Sequence, residues 1–212
     1  MKKILFTTRF GLRTSVLDGC KTNTRRDERG LRKAIEKFEK TYNRPFEFTT
    51  QYFDFGWDCL VVRTPVGPIR IKTRFSQDEI VAVAQAYKDI MPYLADSFYQ
   101  PSPDFMKDKP GYNNTMFVRA DLMPHQIRIT DVRVERLQDI SDEDCLREGI
   151  IRYTCNLYEY RGICYSFPGD KNKMGTYLTA REAFAALIDK VSGKGSWEKN
   201  PYVIVYVFKL VK

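Results

Sequence analysis

The sequence predicts an α+β fold: a small β-barrel with flanking helices and insertions. Three observations predict it. Most apolar segments are short runs rich in β-branched and aromatic residues, the composition of strands. A few segments instead repeat apolar residues at helical spacing, two of them behind a capping pattern. No internal repeat, low-complexity tract or linker composition divides the chain, so residues 1–212 read as a single domain.

The elements follow in order. Residues 3–10, KILFTTRF, read as a first strand. Residues 12–19, LRTSVLDG, form a short helix or turn, with Gly19 suited to the left-handed position that ends one. In residues 31–42, Leu31, Ala34, Ile35 and Phe38 fall on one helical face, and the lysines and glutamates form a solvated opposite face. Residues 46–53, 57–64 and 69–75 read as strands, with PVGP as the turn before the last. EIVAVAQAY is a buried strand, and the prolines from about 96 to 115 mark a long loop.

Residues 115–122 and 126–137 are further strands; the second slips in its alternation near Asp131, as at a bulge. Ser141 to Gly149 is a helix, with Ser141 and Asp144 as a capping box and Gly149 as the stop. Thr179, Glu182 and Gly193 repeat this grammar around an apolar face of Phe184, Leu187, Ile188 and Val191. PYVIVYVFKLV closes the chain as a strand apolar on both faces, hence central or covered.

Hydrophobic residues make up 43% and charged residues 29%, which supports a packed core and argues against disorder. The net charge of +8 favours an anionic partner such as nucleic acid or a nucleotide. Five cysteines without CxxC spacing signal neither a disulfide framework nor a zinc site. They read as free thiols in a reducing compartment. One histidine, His125, excludes a multi-histidine metal site, and its place just before a strand gives it a structural role. No metal or other cofactor is expected. The N-terminal apolar run is too short for a signal peptide, and no run approaches a membrane span. A cytoplasmic protein without a membrane partner is the expectation.

The densest chemistry lies in GCKTNTRR, residues 19–26, where Lys21, Arg25 and Arg26 stand with two threonines. This run resembles the G-x-K-T-x-T-x-R motif of the ASCH family, a branch of the PUA-like β-barrels. Three more segments resemble that family in order and spacing. They are EIVAVAQ, then the strand, cap and helix from IRITDV to REGI, then the closing WEKNPYVIVYVFKLV. The resemblance covers residues 3–26, 76–90 and 114–212, leaving about 27–75 as an inserted helix plus strands. It implies a PUA-like barrel whose cleft beside the first strand binds RNA or a nucleoside-like molecule. A small branch of the family is an amidohydrolase that deacetylates N(4)-acetylcytidine with a lysine, a threonine and a glutamate. The matching catalytic positions here are Lys21, Thr24 and Glu148. The chain is about twice that branch's length, and its final motif residue is doubled as Arg25–Arg26.

Amide hydrolysis needs a nucleophile, a base and a proton donor for the leaving nitrogen. Thr24 supplies a hydroxyl. Lys21 serves as base only if burial or nearby cations such as Arg25 and Arg26 lower its pKa. Glu148 could orient the lysine or carry protons, yet beside a lysine it also favours the ammonium form. Lys21 and Thr24 face opposite sides of an extended strand, so a joint site requires residues 21–24 to be turned. The same residues have a plainer reading, in which the threonines satisfy backbone groups and Glu148 makes an ordinary ion pair. Lys21, Arg25 and Arg26 could instead hold phosphate or nucleic acid. FEFTTQYFDFGW and YEYRGICYSF offer possible stacking platforms, although core packing is the favoured reading. A protein-interaction module carried by residues 27–75 is a further reading.

Overall fold

The computed structural model describes residues 1–93, 106–156, 161–170 and 177–211. Its centre is a five-stranded sheet in the order β1-β6-β7-β10-β2. These strands are β1 (Lys3–Ile4), β2 (Asn23–Arg26), β6 (Ile80–Val83), β7 (Gln126–Arg136) and β10 (Tyr202–Leu210). β1 runs parallel to β6, and the other pairs are antiparallel. The closing strand is apolar on both faces because it lies between β7 and β2 and is covered on both sides. Val207 pairs with Asp131 and Phe208 with Ile129, so Thr130 is the extra residue of a bulge. The slip read near Asp131 is this feature.

The class is α+β, but the described strands form no closed barrel. The sheet ends on β1 and β2, and these two edges approach each other. An Arg26 amino group donates across the gap to the Leu5 main-chain carbonyl at 2.7 Å. The first strand is also shorter than its apolar pattern suggested, because a turn closes at Gly11 N–H to Thr8 carbonyl and leads into α1 (Leu12–Leu17). Gly19 follows that helix with φ 73°, which a side chain would disfavour.

Residues between β2 and β6 form α2 (Arg29–Tyr42) and a separate three-stranded sheet of β3 (Thr50–Asp54), β4 (Cys59–Thr64) and β5 (Gly67–Ile71). Leu31 and Phe38 are the buried residues of α2, as its spacing predicts. One apolar cluster joins this unit to the main sheet, taking in Phe38, Phe46, Leu60 and Ile71 together with Ile4, Val134 and Ile204. Tyr206 of β10 adds a polar tie. Its hydroxyl donates to Glu28 at 2.7 Å and accepts from the Arg74 N–H at 3.1 Å.

α4 (Asp142–Arg147) and α5 (Ala180–Ser192) pack on each other, and a short α3 (Tyr87–Ile90) follows β6. The Ser141 hydroxyl caps α4 by accepting from the Asp144 N–H, and Gly149 follows with φ 100°. Thr179 and Glu182 form the reciprocal box that opens α5, and Gly193 ends it. β8 (Ile151–Asn156) and β9 (Arg161–Ser166) make a hairpin.

Residues 115–122 are not a strand. They form two short 3-10 turns, Thr115–Phe117 and Ala120–Leu122. The Lys3 ammonium collects the carbonyls of Thr115, Met116 and Val118, satisfying groups that a ladder would otherwise pair. Of the proline-rich loop, residues 96–105 lie outside the described residues, as do residues 158–160 of the second aromatic segment. Among the described residues no helix is long and apolar enough to cross a membrane.

Candidate functional site

The basic motif is pinned by main-chain bonds at its start. The Lys21 N–H donates to the Ser15 carbonyl of α1, and the Thr22 N–H donates to the Arg147 carbonyl of α4, both at 2.8 Å. From Asn23 onward the chain is extended and pairs with β10. The expected turn over residues 21–24 is therefore absent. Lys21 lies ahead of the strand, and Thr24 lies in it. Both nevertheless line one cavity of about 870 Å³, together with Arg25, Arg26 and Glu148. The lining takes in the consecutive residues Thr24, Arg25 and Arg26, which alternate between the two faces of β2.

Lys21 is 2% exposed. Its ammonium contacts the Glu148 carboxylate and donates to the Glu148 carbonyl at 2.8 Å. Burial pushes the Lys21 pKa below its usual value, against the pull of Glu148; Arg26 and Arg25 add to the lowering. Glu148 occupies the C-cap of α4, so the same helix end that holds Thr22 also delivers this carboxylate to Lys21.

Arg25 points to the opposite side of β2 from Thr24 and is held by three carboxylates. Its distances are 2.6 Å to Glu135, 2.9 Å to Asp144 and 3.1 Å to Glu148. Burial works against its positive charge, but Glu148 and Glu135 outweigh it and keep the guanidinium pKa above its ordinary value. Arg25 is thus committed to organising β7, α4 and β2. Arg133 extends the network to Asp144, Glu135 and Asp131.

Arg26 is different. It bridges to Leu5 and lies 5.6 Å from the centroid of the Phe6 ring, while its buried Nε has no hydrogen-bond partner among the described residues. Burial and the neighbouring Arg74 lower its pKa. Lys21 approaches the same Phe6 ring, at 5.9 Å. Among the described residues the Thr24 hydroxyl makes no hydrogen bond, so it is available in the cleft wall.

The motif supplies only one wall. α5 contributes Phe184, Leu187, Ile188 and Val191, and the 72–74 segment contributes Lys72, Thr73 and Arg74. Val191, expected on the apolar face, is 44% exposed at this wall. A sequence signal for Lys72 and Arg74 was present: Arg70, Lys72 and Arg74 alternate in IRIKTRF, placing three cations on one face of an extended chain. Glu135 and Asp144 carried no comparable signal.

Among the described residues no cluster of three histidine, cysteine, aspartate or glutamate side chains could hold a metal ion. The five cysteines are free thiols. No protein-family model, no curated protein and no solved structure matches the chain.

Proposed function

We propose that this chain is an ASCH-like domain of the PUA-like class, and that its basic cleft holds a nucleoside or nucleotide unit, free or within RNA. One observation carries the reading. Residues from positions 21–26 and from position 148 share a single cavity, whose volume of about 870 Å³ is that of a small-molecule site. In this reading the sheet is a barrel opened between β1 and β2, with the Arg26–Leu5 bridge across the seam. Arg26, Lys72 and Arg74 take the anionic group, since none of them has a carboxylate ion pair among the described residues. Val191 offers exposed apolar surface on the cavity wall, and Thr24 with the outer edge of β2 offers donors and acceptors. Arg25 supports the site from behind.

Calorimetric titration with the four nucleoside monophosphates and their nucleosides tests this reading. The expected result is saturable binding that Arg26→Gln weakens. Absence of binding across the whole set would refute it.

A second reading is an amidohydrolase acting on an acylated nucleoside such as N(4)-acetylcytidine. Two features favour it: burial lowers the Lys21 pKa, and the Thr24 hydroxyl is unengaged. Neutral Lys21 would take the Thr24 proton as the oxygen attacks the acyl carbon. The amine would depart with a proton, and water would release the acid from Thr24. Glu148 would orient Lys21 or relay its proton. Incubation with acylated nucleosides, followed by assay of free acetate, tests the activity.

A further inference from the structure

The β3-β4-β5 sheet turns one face to the core through Leu60, Val62 and Ile71. Its other face is exposed at Tyr52, Arg63 and Arg70, while Cys59 and Val61 on the same face are buried. Tyr52, Val61 and Arg70 form one cross-strand row on that face, and Val61 is buried between the two larger side chains. At the end of this sheet the β3–β4 turn projects Phe55 and Trp57, which are 62% and 71% exposed. The turn is fixed. One Asp54 carboxylate oxygen accepts from the N–H groups of Gly56 and Trp57, at 3.0 and 3.3 Å. The Arg70 guanidinium lies 5.5 Å from the centroid of a Trp57 ring.

This face continues into the cleft. Asp58, next to Trp57, and Lys72, two residues beyond Arg70, both belong to the cleft wall. Arg63, Arg70 and Lys72 have no carboxylate ion pair among the described residues. Exposed aromatic rings beside unpaired cations match a ligand with flat π-faces and a polyanionic backbone. Aromatic and arginine side chains alone would also suit a protein surface; the cations that no carboxylate among the described residues neutralises are what favour a polyanionic strand here.

We infer that this sheet face is a stacking platform for single-stranded nucleic acid, positioned so that a neighbouring nucleotide of the same strand enters the cleft. The inference rests on the cleft being a nucleotide site, and it names the ligand as a strand rather than a free nucleotide.

The test uses the full chain, a short single-stranded RNA of mixed sequence and the four nucleoside monophosphates. RNA is expected to quench tryptophan emission in the wild type and to lose most of that quenching in Trp57→Phe. Trp57→Ala should weaken RNA binding by at least about fivefold, the loss of one stacked base. Monophosphate affinity should not change, because Trp57 lies outside the cleft. Equal RNA affinity in wild type and Trp57→Ala overturns the platform, as does monophosphate binding without any RNA binding; the cleft reading survives both results. Failure to bind either ligand removes both proposals. Self-association lost in Trp57→Ala, seen by sedimentation without RNA binding, would reassign the face to protein contact and overturn the inference.

Discussion

The Lys21 ammonium meets both the carboxylate and the main-chain carbonyl of Glu148, a residue 127 positions away. The pairing is enclosed, so desolvation dominates its energetics. Replacing Lys21 with methionine leaves Glu148 with Arg25 as a partner. Replacing Glu148 with glutamine leaves Lys21 buried without a countercharge. Uncompensated buried charge is the costly case, so Glu148→Gln is expected to lower the Lys21 pKa further.

The pH dependence of stability follows from the direction of that shift. The unfolded lysine titrates near 10.5, and the folded one lower. Below the folded pKa both states are protonated, and the folded state carries the cost of the buried charge. Between the two values the unfolded state binds more protons, so stability rises with pH; above 10.5 the cost is gone. Urea unfolding at a series of pH values should therefore show wild-type stability growing relative to Lys21→Met as the pH approaches 10.5. A relative stability that falls over this range contradicts the lowered pKa.

Arg25 is expected to be the most sensitive position in the motif for folding. Its side chain is 1% exposed and meets Glu135, Asp144 and Glu148. Arg25→Met leaves three carboxylates without this cation and should cost about 3–5 kcal/mol, the range for breaking a buried pair. Arg25→Lys keeps the charge but lacks the planar fork that spans several acceptors, so it should fall between wild type and Arg25→Met. Denaturant midpoints give the order directly. An Arg25→Met protein as stable as wild type removes the network from the stability argument.

Local grammar was legible where local chemistry decides the outcome. Gly19, Gly149 and the Thr179–Glu182 box act within a few residues, so the sequence located the helix ends. The bulge opposite Val207 and Phe208 was visible because a slipped alternation has few other causes. Residues 115–122 misled because their apolar and β-branched content suits a strand. Their backbone carbonyls are instead satisfied by Lys3, more than a hundred positions away, which no local pattern encodes. The site divides in the same way. The motif was conspicuous, and Glu148 was expected beside it only on the resemblance noted in the sequence. Glu135, Asp144 and the α5 wall depend on which strands become neighbours, and Lys72 and Arg74 were hidden inside a segment read only as strand.

Salt dependence should separate the arginines. Arg26 and Arg74 line the cleft without a carboxylate ion pair among the described residues, whereas Arg119 is paired with Asp121 on the surface. Each phosphate of a single strand that is no longer neutralised should flatten the slope of log K against log salt by about 0.7. Arg26→Gln and Arg74→Gln are expected to flatten it and to weaken RNA binding, and Arg119→Gln to do neither. Fluorescence anisotropy across a salt series provides the slopes. Identical slopes in all four proteins would take Arg26 and Arg74 off the phosphate path.

If acetate release is found with an acylated nucleoside, Thr24 and Lys21 are expected to act as one unit. Thr24→Val keeps the shape of the side chain and removes the hydroxyl, so turnover should collapse. Thr24→Ser retains the hydroxyl and should keep part of the rate. Lys21→Met removes the base, whose contribution is typically about 10²–10⁴-fold. The Lys21→Met, Thr24→Val double variant should then be scarcely slower than either single variant, because neither group works without the other. Glu148→Gln separates its two roles. It keeps the size of the side chain and cannot exchange a proton, so a small loss in kcat means orientation of Lys21 and a large loss means proton relay. Lowering the Lys21 pKa further, the same change should also shift the alkaline rise of kcat toward lower pH if Lys21 is the base. A Lys21→Met enzyme that releases acetate at the wild-type rate, while remaining folded by circular dichroism, eliminates Lys21 as the base and leaves the motif a binding element.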